Sequence, residues 1–302
     1  MTLTASEIVL DVMDAFKTEI PMMLSEFATD FSSKTAVKGD TIIAHISSLP
    51  TVQDYHNVTG FANGAQAAEG LLADVPVVLN TLKHVPVKIS WLTQLASRLP
   101  LYREAVRNSG YVLAKMVVDE VLSQVVTNFS NTYQQTPAMA SLDAIENIRS
   151  ACNVQGIAPA GRFGIVNSAF AAALQGDDRI GSKTFVGQLN ASEAYRRFTN
   201  VAGFKQIFEY PDFPTANNAV GFVADRRACC VAIRRPDFSS AAAELGIPQV
   251  MRFTPVSDPG TGIEMAAIEW QEAGTGDVYV TLAVLFGVGV GNQGGAPGSI
   301  TD

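Results

Sequence analysis

The sequence predicts an α+β protein organised around one long helix. Residues 100–127 are expected to form this helix, because apolar side chains recur there at every fourth position. The recurring residues are Leu113, Val117, Val121 and Val125. Two other regions, 39–90 and 249–290, are rich in β-branched residues and show the alternation of strands. One long helix with separate groups of strands is typical of the α+β class.

The long helix is expected to act as a spine. Pro100 suits its first position, and at ~1.5 Å per residue the helix would be ~40 Å long. Met116, Val118 and Leu122 widen the apolar stripe, which therefore faces a core. Charged residues interrupt the stretch too often for a membrane span. They are Lys115, Asp119 and Glu120.

The first 38 residues are predicted to form an arm. Thr4 and Glu7 fit a capping box before a short amphipathic helix that Pro21 ends. Its apolar face consists of Ile8, Val12 and Phe16. A second apolar group at 22–31 precedes the polar stretch SSKTAVKGD. These pieces are too small for a core of their own, so the arm must lie either on its own spine or on a neighbouring subunit.

Residues 39–90 are predicted to form a long β-hairpin. Its strands are DTIIAHI at 40–46 and VPVVLNTLKHVPVKI at 75–89. The connection at 56–70 contains three glycines and several alanines, so it has little to bury. Loops beyond ~12–15 residues are usually functional or disordered, and we interpret this one as a projecting contact element.

Two helices and two strands are predicted after the spine. Ser141 is the N-cap of a helix with one apolar face. That face consists of Leu142, Ile145, Ile148 and Cys152. RFGIV at 162–166 is a predicted strand, Asn167 caps the alanine-rich helix after it, and Gly176 ends that helix. GFKQIFEY at 203–210 is the second strand, whereas the segment between Gly176 and this strand is poorly patterned.

Four arginines flank the apolar run ACCVAI. They are Arg226, Arg227, Arg234 and Arg235. Two interpretations stay open: a solvated rim, or ion pairs across a subunit contact.

From residue 249 the chain is predicted to be a β meander of three strands joined by the turns DPGTG and AGTGD. Because its last strand, VYVTLAVLFGVGV, is apolar on both faces, we expect it to be central and packed against the spine.

The composition favours extensive contact between subunits. Only 17% of the 302 residues are charged, against ~25% in typical soluble domains. Permanent interfaces are depleted in charge, although a larger monomeric core would also explain the shortage of charged residues.

The net charge of −8 argues against tight, sequence-specific nucleic-acid binding but not against loose proximity to DNA. Three cysteines without a C-x-x-C motif, and no secretory signal, indicate a reducing cytoplasm.

No pattern in the sequence indicates catalysis. Gly289, Gly291 and Gly294 spell G-x-G-x-x-G, but a dinucleotide site needs a following helix and strand, and the sequence ends at Asp302. The histidines, His45, His56 and His84, have no partners at metal-ligand spacing. We therefore expect no enzyme, no catalytic residue, no cofactor and no metal.

The order of the predicted elements resembles the major capsid (coat) protein of tailed bacteriophages, with its Hong-Kong-97-type fold. The similar strings are KGDTI, VVLNTLKHVPVKIS, VAGFKQIFEYPDFP, FVADRRACCVAIRRP and VYVTLAVLFGVGV. The resemblance covers nearly the whole chain and divides it into four parts. They are an N-terminal arm at 1–38, an extended loop at 39–90, a peripheral domain with the spine at 91–136 and 249–302, and an axial domain at 137–248. Some similar proteins insert an extra β domain into the axial domain, and no stretch here is long enough to hold one.

The resemblance implies a structural protein that assembles with itself. Pentamers and hexamers would close into an icosahedral shell around double-stranded DNA, which the acidic chain would contact weakly and non-specifically. Portal and scaffolding proteins are the other expected partners, with no membrane, and the location would be the virion after assembly in the host cytoplasm. The alternatives are an encapsulin-like nanocompartment shell and, less favoured, an unrecognised α/β enzyme.

Overall fold

The structure is a computed structural model. It describes residues 26–47, 72–89, 99–128, 131–157, 159, 161–181, 197–237, 252–257, 263–271, 277–291 and 298–301. The predicted arm helix before Pro21 and the loop at 56–70 lie outside the described residues. None of the described helices is long and apolar enough to cross a membrane.

Strands and helices are both present in the described part of the chain, as expected for the α+β class. The strands are β1 Ala28–Ala36, β2 Thr41–Ser47, β3 Leu72–Val78, β4 Thr81–Ile89, β5 Asn131–Gln134, β6 Phe163–Val166, β7 Arg197–Val201, β8 Phe204–Glu209, β9 Ala219–Ala224, β10 Cys229–Pro236, β11 Arg252–Ser257, β12 Glu264–Gln271, β13 Val278–Val290 and β14 Gly298–Thr301. The α-helices are α1 Leu99–Asn128, α2 Leu142–Val154, α3 Ser168–Gly176 and the short α4 Asp178–Gly181. Short 3₁₀ turns span Pro137–Met139 and Ala216–Asn218.

The first sheet is built around β13. This 13-residue strand pairs antiparallel with β4, β10 and β12, while β1 pairs with β10 and β11 with β12. From Val280 to Phe286 its side chains are buried on both faces. The prediction of a central strand packed against the spine is therefore confirmed, and the meander forms as expected.

The two faces of the first sheet carry different elements. Val231 and Val284 point to one face and share a core cluster with the spine helix α1. Ala232 and Leu285, their neighbours in the chain, point to the other face and share a cluster with the root of the β2–β3 hairpin. Because side chains alternate along a strand, this pattern gives three layers: helix, sheet and hairpin.

The spine helix begins one residue earlier than predicted, at Leu99, and ends at Asn128. All four residues of the predicted stripe are buried, as are Val118 and Leu122. Met116 is 37% exposed, so its assignment to the buried stripe is wrong. The buried stripe is narrower at Met116 than nearer the C-terminal end of the helix, where Val125 and Val126 are both buried.

The second sheet has the order β5-β14-β9-β6-β8-β7. The helices α2 and α3 form as predicted beside it, and their cap residues behave as expected. The Ser141 hydroxyl accepts a hydrogen bond from Ala144 N at 3.3 Å, and the Asn167 side chain accepts one from Phe170 N at 2.9 Å. The predicted strands at 162–166 and 203–210 are β6 and β8.

Several strands differ from the sequence-based expectation. The first part of the polar stretch after residue 31, up to Ala36, belongs to β1, which pairs in parallel with β10. The second predicted hairpin strand is two strands, because the chain leaves the hairpin after Val78 and enters the first sheet as β4. The glycine-rich end of the chain returns as β14, between β5 and β9, with Ile300 fully buried.

Strand pairing also crosses the predicted domain boundaries. Cys229–Pro236 belongs to the predicted axial domain, yet this strand pairs with β13 of the predicted peripheral domain. Gly298–Thr301 was assigned to the peripheral domain and pairs in the second sheet. Strand pairing by itself does not define domains, so the four-part division stays a prediction.

A charge on the spine stripe should prevent folding. Val117 is fully buried, so Val117→Asp would place an unpaired carboxylate in the core at a cost of several kcal/mol, against a typical stability of ~5–15 kcal/mol. Ser123→Asp, on the exposed side of the same helix, is the control. Circular dichroism and soluble yield measure the outcome. A soluble, native-like Val117→Asp protein would contradict this orientation of the helix.

Acid should destabilise the junction between α2 and α4. Hydrogen bonds from the Arg179 guanidinium and then from the Leu142 amide lower the pKa of Asp177 to about 2. Because this pKa lies below the unfolded value of ~3.9, the stabilisation is present above pH ~4 and is lost as the pH falls towards 2.

Urea denaturation at pH 5, 4, 3 and 2.5 tests this expectation. The fall in the free energy of unfolding over this range should be smaller in Asp177→Asn than in the wild type, because the amide does not titrate. The exposed neighbour Asp178→Asn is the matched control and should fall like the wild type. Parallel curves for wild type and Asp177→Asn would contradict the assignment.

Candidate subunit-contact surface

The root of the hairpin exposes an apolar surface. On its outer side the cross-strand pairs are Thr41 with Val78, Ile43 with Pro76, and His45 with Asp74. Ile43 is 57% exposed and Val78 44%, and Val37 in the preceding turn is 55% exposed. We call Val37, Ile43, Pro76 and Val78 the hairpin face. Isolated exposed apolar residues are common, but a group of them on one side of a rigid element marks a candidate contact site.

The inner side of the same hairpin is fixed to the first sheet. Ala44, Val75 and Val77 are buried against it, and Leu79 at the end of β3 is fully buried. The Gly39 amide donates to Leu79 O at 2.8 Å, and the Leu79 amide donates to Asp40 O at 2.8 Å. Burial and these paired hydrogen bonds hold the hairpin root, so the hairpin face is presented on a firm support.

The turn that starts the hairpin is fixed by two short-range features. The Asp40 carboxylate accepts a hydrogen bond from the Val37 amide, three residues earlier in the chain, at 2.7 Å, which closes the turn. Gly39 has φ +103°, a conformation that residues with a side chain rarely adopt. This turn reverses the chain from β1, in the first sheet, to β2 in the hairpin.

The histidines do not assemble a metal site in the described residues. His45 Nδ1 lies 2.7 Å from Asp74 Oδ1 across the hairpin, and both side chains are more than half exposed. His84 lies on an exposed position of β4, and His56 is outside the described residues. Among the described residues no three His, Cys, Asp or Glu side chains are grouped as metal ligands. An exposed pair such as His45–Asp74 contributes little to stability.

A second exposed apolar group lies near the middle of the spine. Tyr111 is 37% exposed, Val112 45% and Met116 37%, and we call these three residues the spine face. Lys115 lies among them but is directed to the carboxylates of Asp212, at 3.1 Å, and Asp119, at 3.7 Å. The hydrogen bond to Asp212 raises the pKa of Lys115. This cation is therefore held in ion pairs of its own subunit.

Two of the four arginines around β10, Arg227 and Arg235, pair with carboxylates of their own subunit. Arg227 bonds Asp225 through its main-chain amide, at 2.9 Å, and through its guanidinium, at 3.0 Å. Arg235 lies 3.7 Å from Glu264. Arg234 is only 6% exposed, so the solvated-rim interpretation is wrong for it, whereas Arg226 is exposed. The sequence interpretation treated the four arginines alike. Along a strand, however, consecutive side chains alternate, so Arg234 and Arg235 lie on opposite faces of β10.

The first two glycines of the G-x-G-x-x-G motif lie against protein, which leaves no room there for a phosphate. A Cβ built on Gly291 would lie 1.9 Å from Arg227 O, and one built on Gly289 would lie 2.7 Å from Val77 Cγ2. Both values are below the ~3.4 Å of ordinary contact. Close approach of the β9–β10 turn and of the hairpin accounts for these glycines.

Comparison with known proteins gives matches among solved structures alone. No protein-family model matches the chain, and no curated protein matches it. A capsid chain of the cyanophage P-SCSP1u has a TM-score of 0.54 at 11% identity, with 90% of this chain and 86% of that chain covered. The mature capsid of bacteriophage PhiM1 gives 0.51 at 10% identity, covering 91% and 85%. The chain has the Hong-Kong-97-type fold.

The fold likeness is not restricted to phages. A virus-like particle from Pyrococcus furiosus has a TM-score of 0.53 at 10% identity, and 98% of each chain is covered. At this level of identity the likeness establishes the Hong-Kong-97-type fold and nothing further. The fold expected from the order of elements is thereby confirmed.

Proposed function

We propose that this chain is the major subunit of an icosahedral shell, as in the capsid of a tailed phage. The observation that carries the proposal is the likeness to shell proteins over nine-tenths of the chain. The low charge fraction of 17% and the two exposed apolar faces support it, because a subunit covered by neighbours needs few surface charges. On this proposal the chain is not an enzyme, and its principal partner is itself, in pentamers and hexamers.

The contents and further partners follow from the same proposal. The shell would enclose double-stranded DNA, contacted weakly because the net charge of −8 disfavours tight binding to phosphates. Portal and scaffolding proteins would complete a virion assembled in the host cytoplasm. A nanocompartment shell with protein cargo is the second candidate, favoured by the 98% mutual coverage with the virus-like particle of Pyrococcus furiosus.

Purified wild-type protein should form capsomers or closed particles. Exposed apolar side chains on rigid elements favour association, so light scattering should show species far above the 32.1 kDa subunit, and negative-stain microscopy should show rings or shells. Nucleic acid or protein found inside the particles separates the two candidates. A single species of subunit mass under every assembly condition tested would contradict both.

The loop between β2 and β3 should serve assembly and not folding. Ser47 and Leu72 form the last described pair of the hairpin, so an Asn-Gly turn in place of residues 48–71 can close it. Loop closure entropy slightly favours the shorter chain. We expect an unchanged circular dichroism spectrum and a melting temperature within a few degrees, but no closed shells.

A Gly/Ser segment of equal length in place of residues 48–71 is the matched control. It keeps the reach of the loop and removes its side chains, so it shows whether contacts or length matter. Normal shells from the Asn-Gly variant, or loss of its fold, would each show that the loop has a different role.

A further inference from the structure

We propose that Gly287 and Gly289 form a seat for the hairpin, which fixes its direction and thereby the geometry of assembly. The inference rests on the proposed shell function, whose test is the wild-type particle. The seat lies on the face of β13 opposite the spine, where alternation places Leu285, Gly287 and Gly289 in one row. Strand β3 of the hairpin crosses directly over this row.

The distances leave no space for a side chain on the seat. A Cβ on Gly287 would lie 2.2 Å from Val78 O and 2.8 Å from Val78 C. A Cβ on Gly289 would lie 2.7 Å from Val77 Cγ2 and 2.9 Å from Val75 Cγ1. At Gly287 the obstacle is backbone, and at Gly289 it is two buried side chains. A larger residue at Gly287 must therefore displace the backbone of β3, and one at Gly289 must displace the side chains of Val77 and Val75 or β3 itself.

Space, and not backbone conformation, explains the two glycines. Neither residue is among the described glycines with positive φ, which are Gly39, Gly156, Gly161 and Gly203. Glycine in the interior of a strand weakens the strand, and here two of them occur within the 13 residues of β13. Close approach of another backbone is a known reason for such glycines, and β3 supplies it here.

The seat controls direction because it lies close to the point where the hairpin joins the sheet. Hydrogen bonds at Leu79 hold that point. At ~3.3 Å per residue, Val77 is ~7 Å from Leu79, whereas Leu72 is ~23 Å away. A lift of about 1 Å at Val77 therefore grows to about 3 Å at Leu72 if the strand moves as a rigid lever. Interface cores pack as densely as protein interiors, so a displacement of this size disrupts a contact with a second copy.

The test compares full-length Gly289→Ala with Gly164→Ala. Gly164 also lies in a strand, but its added Cβ would meet neighbours at 3.6 Å, which is ordinary contact. We expect Gly164→Ala to assemble like the wild type. Gly289→Ala should keep its circular dichroism spectrum, while the yield of uniform closed shells in negative stain falls at least tenfold. The double variant Gly289→Ala with Val77→Ala should recover part of that yield, because it removes the nearest obstacle and leaves Val75 Cγ1 at 2.9 Å.

Each outcome bears on a defined claim. Uniform shells of wild-type size from Gly289→Ala alone would overturn the seat. If Gly289→Ala does not fold, Val77→Ala alone decides: it empties the seat without a clash, so a folded protein with irregular particles supports the inference and uniform shells overturn it. Absence of particles from the wild type contradicts the shell function itself, which separates that failure from failure of the seat.

Discussion

The packing of the spine helix into one core shared by both sheets is the constraint on which the structure depends. Val117, Val121 and Val125 lie in a single apolar cluster with β10 and β13 of the first sheet. The same cluster contains Phe163, Phe208 and Phe222 from the second sheet. Because close-packed interiors transmit displacement, the two sheets cannot shift independently along the helix. The subunit is thus held as one body, with ordinary apolar packing as the cause.

Polar ties reinforce this core where segments enter it. Glu26 is nearly buried and accepts from Lys205 Nζ at 2.7 Å, next to Phe27, whose ring meets Phe163 edge-on with centroids 5.1 Å apart. The Tyr210 hydroxyl donates to Asp119 on the spine. These contacts anchor the start of β1 and the end of β8 to the same body. The end of the predicted arm, from residue 26, therefore belongs to its own subunit's fold, one of the two possibilities left open by the sequence.

The sequence predicted elements that carry their own pattern and missed those that depend on partners. The spine and α2 have apolar residues at helical spacing and were located within one residue. β1 contains a polar stretch, and its strand conformation comes from main-chain pairing with β10. β14 has a single apolar residue, Ile300, and exists because β5 and β9 pair on either side of it. Main-chain hydrogen bonding to a distant strand leaves little trace in a local pattern, so tertiary context decided these segments.

The sequence predicted a contact element in the loop at 56–70, which lies outside the described residues, and did not predict the hairpin face at the root of the hairpin. Low charge and a long hairpin indicated a contact element, whereas the exposed pair Ile43 and Val78 became visible once the strand register was known. The glycine motif shows the reason. Gly289 lies in β13 beneath the hairpin, and Gly291 directly follows the strand and lies against the β9–β10 turn, so each glycine permits the close approach of a different segment. In a phosphate-binding loop the same letters provide tight turns before a helix. The letters alone are compatible with both structures, and the buried side chains of Val75 and Val77 above Gly289 decide for the strand.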